Sequence, residues 1–506
     1  MSLPDIMINK PLPTISNMEI DTEVLDPISS SNQEVVFQIP KNGILDGGSF
    51  LSMAVRVPSG QANALVDANG ISNAFLPCNT GIYGLIRSAQ LTIGSKVIAS
   101  NEDFGHYATM MRQFETPEHR SFVEQVKAGN SLDRYGGLVG AGLGRLTPKD
   151  LVVITEANDN TASLETPLFI RPTDNDSSTP VFSVPLSFLI PMMRSRQLPV
   201  FAIKETCYLR IQFNTQTHGT QAGASYGNIC CFSDMNGNGN PQADITPVPS
   251  LANIKFYSDH LYYPESVMNA TLAQMASEKG MNMVYEDIVL TNTQIQQGAD
   301  PTAPAINTVS VERQIAVSGK VVRNILIQQK NVGQNHSLLG AYLSHTTTAN
   351  DDYNFRINDS RYYDRNLENP CMKYNELSKV RSKPLQVPPQ MYSGNPESNK
   401  QRADGRATGN SVFIGSINNV QLPDGSNTPA SFRQDQLQRT SHYLGVDLTT
   451  TGFNVLGNGK RIGVKPIILQ YNKKVCAGDR GAVEMRIYSN VERVLMFKNG
   501  TAMVSA

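Results

Sequence analysis

A short pattern of strand, tight turn, strand and helix occurs twice in this chain, at positions 264 residues apart. The first copy reads QLTIGSKVIAS before NEDFGHYATMM, and the second reads YNFRINDSRYY before another polar segment. The turn pairs are Gly94 with Ser95 and Asn358 with Asp359. Such residues tolerate a positive φ, and alternating apolar residues flank both pairs, so each copy predicts a β-hairpin. The repetition indicates that one fold occurs twice.

Runs typical of β-strands fill much of both halves of the chain. They are roughly six to ten residues long, they alternate apolar with polar residues, and long polar loops separate them. Only 17% of the residues are charged, whereas large helical proteins usually contain more Glu, Lys and Ala. We therefore predict an all-β fold class, with two tandem eight-stranded jelly-roll β-sandwiches, a few short helices and long loops.

The predicted boundaries follow proline content and helical spacing. Residues 1–30 contain Pro4, Pro11, Pro13 and Pro27 and show little periodicity, which predicts an extended N-terminal arm. The first jelly roll should occupy residues 31–264 and the second residues 281–506. Between them, residues 265–280 place Val267, Met268, Leu272 and Met275 on one face of a helical connector.

Composition argues against several classes of protein. The 506 residues carry a formal net charge of −1, so there is no basic field of the kind that binds nucleic acid directly. Six cysteines without a CxxC pair favour neither a disulfide scaffold nor a zinc ribbon. The first residues do not resemble a signal peptide, and the apolar stretch at 181–193 is too short and proline-rich to span a bilayer. We expect a soluble protein in a reducing compartment.

Motifs for catalysis or ligand binding are weak. GASYG around Ser225 fits the nucleophile-elbow pattern, but it lacks the strand before and the helix after that the pattern requires. Asp234, Asn236 and Asn238 form at most an incidental ion site, because Ile245 stands where a calcium loop needs a closing Glu. The seven histidines are scattered, and the glycine run at 136–144 lacks a phosphate-loop ending. We expect no catalytic residues, no resident metal and no cofactor.

One segment resembles a known protein family. PVFSVPLSFLIPMMRSRQLPVFAIKETCYLRIQFN, at residues 180–214, is similar to a segment of the double jelly-roll major capsid proteins of nucleocytoplasmic large DNA viruses, virophages and polinton-like viruses. The matching residues are Val184, Pro185, Leu186 and Phe188, then Leu198 and Pro199, then Leu209, Ile211 and Phe213. The hairpin at 86–100 and the strands near the C-terminus add to the resemblance.

The resemblance implies a structural role. Chains of this family supply two jelly rolls each, and three chains form a six-cornered capsomer that tiles an icosahedral shell of a double-stranded DNA virus. Implied partners are further copies of the chain, minor capsid proteins and penton proteins, with a possible contact between the arm and an inner membrane. The expected location is the virion, assembled inside the infected cell.

Apolar residues of the strands should fill the two cores. In the first roll we expect Val184, Leu186, Phe188, Leu209, Ile211 and Phe213, with Pro185 in the same segment, and in the second roll Ile467 and Leu469, together with residues 288–290, 325–327 and 485–487. The rival interpretation is a carbohydrate-binding or carbohydrate-processing β-sandwich protein, since jelly rolls also occur in lectins. Trp, a common sugar platform, is absent from the chain.

Overall fold

The computed structural model describes twelve segments of the chain. They comprise residues 18–56, 74–75, 81–112, 181–213, 231–232, 250–278, 280–295, 307–331, 352–381, 443–449, 459–475 and 483–505, apart from Asn32, Ser195 and Asn369. Antiparallel strands make up most of these residues and form four main sheets.

Strands of the first half form two sheets. The strands are β1 (Glu19–Leu25), β2 (Ser29–Ser30), β3 (Glu34–Ile39), β4 (Ile44–Leu45), β5 (Phe50–Arg56), β6 (Ala74–Phe75), β7 (Ile86–Ile93), β8 (Lys96–Asn101), β9 (Val181–Pro185), β10 (Cys207–Phe213), β11 (Cys231–Phe232) and β12 (Ser250–Tyr262). Sheet I has the order β1-β12-β5-β9, with β4 also on β12, and sheet II has the order β2-β3-β10-β7-β8. The short strands β6 and β11 pair with each other.

Strands of the second half form two more sheets. They are β13 (Met281–Ile295), β14 (Asn307–Ile315), β15 (Val321–Asn331), β16 (Asp352–Ile357), β17 (Ser360–Arg361), β18 (Tyr443–Asp447), β19 (Lys460–Arg461), β20 (Ile467–Val475), β21 (Val483–Lys498) and β22 (Thr501–Ser505). Sheet III has the order β13-β21-β15-β18, with β19 on β15 and β22 on β21, and sheet IV has the order β14-β20-β16-β17.

Helices are short and lie between strands. The α-helices are α1 (Phe104–Arg112), α2 (Leu186–Leu189), α3 (Glu265–Ala276) and α4 (Pro370–Arg381). Single 3-10 turns occur at Gly81–Leu85, Pro191–Arg194 and Val200–Ala202. No helix among the described residues is long and apolar enough to cross a membrane.

The two halves share one topology. Eight strands of each half correspond in chain order: β1, β3, β5, β7, β8, β9, β10 and β12 with β13, β14, β15, β16, β17, β18, β20 and β21. In both sets the first, eighth, third and sixth strands form one sheet, and the second, seventh, fourth and fifth form the other. A helix follows the fifth strand in each half, α1 in one and α4 in the other. This strand order defines a jelly roll, so the predicted fold class is confirmed.

Each jelly roll encloses an apolar core between its sheets. Alternation in β3 buries Val35, Phe37 and Ile39, and Phe37 meets Phe256 of sheet I with 5.7 Å between ring centroids. In the second roll, Phe355 and Leu469 are paired neighbours in sheet IV and are fully buried. Burying one such side chain contributes about 1.5–3 kcal/mol, which is why period-two alternation determines which face of each strand points inwards.

The longest connections of each roll leave at the same end. In the first roll they join β5 to β7, β8 to β9 and β10 to β12, while the opposite end contains the start of β1, the β7–β8 turn and the connector α3. In the second roll the connections from β15 to β16 and from β17 to β18 leave at the corresponding end, because its strands have the same order. Polar stretches at 215–250 and 383–431, the Gly-rich run and the Ser225 motif lie almost wholly outside the described residues.

Some predicted boundaries differ from the observed elements. Residues 19–25 of the predicted arm are β1, which pairs along its whole length with β12, so this segment is an integral strand of sheet I. Strand β9 ends at Pro185, because proline has no N–H for the ladder and its φ of −62° suits the start of α2. The two strands predicted at the C-terminus run together as β21 before a turn and β22.

Candidate functional site at the junction of the two jelly rolls

The outer face of sheet III forms the junction between the two rolls. Helix α1 of the first roll and helix α4 of the second pack on this face and form a separate apolar cluster. The buried members are Tyr107, Met110, Met111, Ile288, Leu326, Leu377, Val380 and Tyr488, with Phe188 and Leu290 packed against them. Ile288 and Leu290 were predicted in the core of the second roll; they instead face this junction, because sheet III is apolar on both faces.

A glycine allows α4 to approach sheet III closely. A Cβ atom on Gly445 of β18 would lie 3.1 Å from both Leu377 Cδ1 and Val380 Cγ2 of the helix, and 3.2 Å from Leu326 Cδ2. On the other side of the sheet, the Tyr353 hydroxyl donates a hydrogen bond to the Gly445 carbonyl at 3.1 Å. Any larger residue at position 445 would push the helix outwards.

A charged cluster centred on Asp103 lies beside the apolar one. Asp103 Oδ2 is 3.0 Å from Arg486 Nε of sheet III, and it accepts a hydrogen bond from the Tyr488 hydroxyl at 3.0 Å. Its other oxygen is 2.8 Å from His106 Nδ1. Burial raises the pKa of Asp103, but the charges of His106 and Arg486 and the hydrogen bonds outweigh it, so that its pKa is held well below the usual value. The Asp103 carboxylate therefore joins the first roll to the second through its contacts with Arg486 and Tyr488.

A second polar contact joins β8 to sheet III. The Tyr285 hydroxyl donates to the Ile98 carbonyl at 2.6 Å, and the Ser100 N–H donates to Asp287 Oδ1 at 3.4 Å. Asp287 is 1% exposed and pairs with Arg493 at 3.1 Å. Burial raises the pKa of Asp287, partly offset by the Arg493 charge. The order of these contacts shows that β8 and β13 run in the same direction where they meet. The two rolls therefore lie side by side with their corresponding ends aligned.

The C-terminal hairpin, formed by β21 and β22, packs against the first roll. Asn499 and Gly500 form its turn with φ values of 53° and 80°, a left-handed conformation that favours these residue types. The Gly500 carbonyl accepts from the Lys204 N–H at 2.9 Å, and the Ala502 carbonyl accepts from Lys96 Nζ at 3.1 Å. Leu495, Phe497 and Ala502 belong to the core cluster of the first roll. The strands of the second roll thus help to close the core of the first.

The residues predicted for the first core occupy the described part of the chain. Val184, Leu186, Leu209, Ile211 and Phe213 are buried within the first core cluster, and Pro185 is half-buried at the end of β9. Ile467 and Leu469 lie in the second core cluster.

Phe188 has a different position, between the first core and the junction. Its ring centroid is 5.1 Å from that of Tyr83 and 5.9 Å from that of Phe104, and the Arg194 guanidinium lies 5.7 Å from it. Arg194 also donates a hydrogen bond to the Tyr107 hydroxyl at 3.3 Å. The ring therefore fixes α1 against the first roll.

Both repeat turns contain a residue with positive φ. Gly94 has φ of 60°, and Asn358 and Asp359 have φ of 52° and 67°. Gly94 and Ser95 connect β7 to β8, and Asn358 and Asp359 connect β16 to β17.

The described residues contain no group of three or more His, Cys, Asp or Glu side chains that could hold a metal ion. The candidate ion site at Asp234, Asn236 and Asn238 lies outside them. Cys207 is a free, buried thiol, and burial raises its pKa to about 12, which makes it a core residue rather than a nucleophile. The geometry assembled at the junction is suited to packing and ion pairing.

Solved structures share this arrangement over nearly the whole chain. A quasi-atomic model of the PBCV-1 virus capsid matches with a TM-score of 0.55 and 11% identity, covering 97% of each chain. The chain has the fold of viral capsid proteins. The Faustovirus major capsid protein matches with a TM-score of 0.53 and 10% identity, covering 97% of this chain and 92% of that one. No family model and no curated protein matches the sequence.

The comparison confirms the resemblance to double jelly-roll capsid proteins at the level of the fold. Sequence reasoning missed the junction between the rolls. Asp103 and Arg486 are far apart in the chain, and neither lies in a motif. The only sequence indication of α1 as a packing element was the spacing of Phe104, Tyr107 and Met111.

Proposed function

We propose that this protein is a major capsid protein that builds the shell of a double-stranded DNA virus. The observation that carries the proposal is the match of two complete jelly rolls, over 97% of the chain, to proteins of viral capsids. Its role is structural, and its location is the virion. The rigid junction supports this role, because a shell subunit must keep its two rolls in fixed relative positions.

Three chains should form one capsomer. The contacts along β8 hold the two rolls side by side, so three copies present six rolls around one axis. A head-to-tail contact that closes after three copies gives such a ring, and weaker contacts between rings give a lattice. Copies of the chain are therefore the main partners, with minor capsid and penton proteins at the gaps of the lattice.

Negative-stain electron microscopy of the purified, untagged protein tests this function. Six-cornered particles with threefold symmetry are the expected result. Particles of single-chain size at every concentration would contradict the capsomer, and measurement of sugar binding would then test the rival interpretation.

The segment before β1 is proposed to link capsomers to a neighbour, a minor protein or an inner membrane. It precedes β1, whose first residue lies at the end of the first roll that carries the β7–β8 turn and the connector α3. Deleting residues 1–17 should leave trimers intact while impairing shell assembly, because β1 and both cores are retained. Normal shells from the deleted protein would remove this role.

A further inference from the structure

The far edge of the first roll exposes an unusual set of apolar residues. Met18, Ile20, Val24 and Ile28 are four of the twelve large apolar side chains that the described residues expose, and all four fall within eleven residues. Ile20 is 61% exposed and Val24 50%. Single exposed apolar residues are ordinary, but a concentration on one edge marks an interaction surface. We call residues 18–30 the β1–β2 edge.

This edge lies opposite the contact that the chain makes with itself. In sheets I and II, β1 and β2 are the first strands, whereas β9 and β8 are the last. The second roll packs against the β8 side, through Tyr285, Asp287 and the C-terminal hairpin. Among the described strands, β1 pairs with β12 alone, so its outer edge is open for a further contact. In a ring of six rolls, each roll has two neighbours. The second roll of the same chain occupies the β8 side of the first roll, so the β1–β2 edge is left for the other neighbour.

Charge favours the second roll of another copy as the occupant. Residues 1–280 contain 18 Lys and Arg against 26 Asp and Glu, and residues 281–506 contain 25 against 18, giving formal charges of −8 and +7. The edge itself carries Glu19, Asp21, Glu23 and Asp26 and no basic residue. The total charge is therefore near zero because the acidic first half offsets the basic second half. Opposite charges on the two halves attract each other between copies.

We propose that the β1–β2 edge is the surface on which the first roll of one copy binds the second roll of the next copy. This inference rests on the proposed capsomer and specifies its contact. The exposed apolar side chains supply the buried centre of the contact. The acidic residues select a basic partner and oppose pairing between two identical edges, since like charges facing each other repel.

Substitution on the edge tests the proposal. Ile20→Lys and Val24→Lys, combined in one protein, should raise the concentration for half-association by about tenfold or more, because they remove apolar contact and place positive charge against a basic surface. Val97→Lys is the matched control, since Val97 of β8 is 46% exposed but lies on the other side of the roll. Association is measured by sedimentation velocity at several salt concentrations, and far-UV circular dichroism checks that each variant is folded.

Cross-linking identifies the occupant directly. A photoreactive p-benzoylphenylalanine replaces Ile20 in one isotopically labelled population, which is mixed with unlabelled wild type. Cross-links from position 20 to peptides of residues 281–506 in the other population support the proposal. Links to residues 1–280 of another copy, or links within one chain only, overturn it.

The outcomes separate this inference from the proposed function. If the wild type forms trimers and the doubly substituted protein forms them equally well, the contact is elsewhere, and the capsomer stands without it. If the wild type remains a single chain at all concentrations, both the capsomer and this contact are rejected. Added salt should weaken the association of both the wild type and Val97→Lys, because it screens the attraction between the acidic edge and the basic second roll; association that does not change with salt would contradict the charge argument.

Discussion

Removing the charge of Asp103 should loosen the attachment of the first roll to sheet III. Asp103→Asn keeps the size of the side chain and one oxygen for the Tyr488 hydroxyl, but it loses the ion pair with Arg486. Removing one partner of a buried ion pair costs about 3–5 kcal/mol. Here Arg486 keeps a second partner, Glu484 at 3.2 Å, and the two side chains of the pair are 21% and 13% exposed. We therefore expect Asp103→Asn to lower the free energy of unfolding by about 2–3 kcal/mol, which is less than for a fully buried pair.

The effect should depend on pH in a defined direction. The pKa of Asp103 in the folded protein lies below its ordinary value of 3.8. The carboxylate thus stabilises the folded state fully above the unfolded pKa, and this stabilisation declines as the pH falls below it towards the folded pKa. The difference between wild type and Asp103→Asn should shrink as the pH falls below the unfolded pKa of Asp103, because protonation removes the charge of the carboxylate.

Denaturant unfolding monitored by tyrosine fluorescence measures this difference. A double-mutant cycle with Arg486→Gln isolates the pair, and its coupling energy should account for most of the loss. Asp359→Asn is the matched control, because Asp359 pairs with Lys465 in an exposed position and its removal should have no measurable effect. Equal effects of both substitutions, or a difference that does not shrink in acid, would refute the role given to Asp103.

Substitutions at three further positions probe packing, and their effect on stability is measured as a change in denaturant midpoint unless another assay is named. Phe188→Ala should cost about 2–4 kcal/mol by opening a cavity beside α1, and Phe188→Asp should abolish soluble trimer; normal assembly of the latter would count against the packing role. Gly445→Leu should displace α4 and increase protease cleavage near the helix, whereas Gly463→Leu, where no such close contact exists, should not. Tyr285→Phe removes the hydroxyl bonded to Ile98 and should cost about 1–2 kcal/mol, a result that unchanged stability would contradict.

Local patterns predicted the repeated elements well. The alternating runs around Gly94 and Asn358 favour a hairpin, because the side-chain period and the positive-φ turn are properties of a few adjacent residues. The same reasoning places Leu209 and Ile211 in a core, since alternate residues of a strand share one face. The jelly-roll class followed from repeating these local inferences in both halves.

The junction could not be predicted in the same way. Alternation shows that a strand has an apolar face, but Ile288 and Leu326 belong to strands that are apolar on both faces, and the pattern does not say which face meets which neighbour. The pairing of Asp103 with Arg486 depends on the relative placement of two complete sandwiches. Likewise, β1 was assigned to the arm because residues 1–30 contain four prolines and show little periodicity, whereas the structure makes it an edge strand with little buried surface.

The hairpin at the C-terminus has a consequence for synthesis on the ribosome. Strands β21 and β22 supply Leu495, Phe497 and Ala502 to the core cluster of the first roll, although that roll's own strands end at Tyr262. Translation proceeds from the N-terminus, at about 5–20 residues per second. More than two hundred residues must therefore follow β12 before the first roll acquires its last core side chains. A nascent chain would remain unable to complete either sandwich until β21 and β22 have been synthesised, which delays self-association until that point.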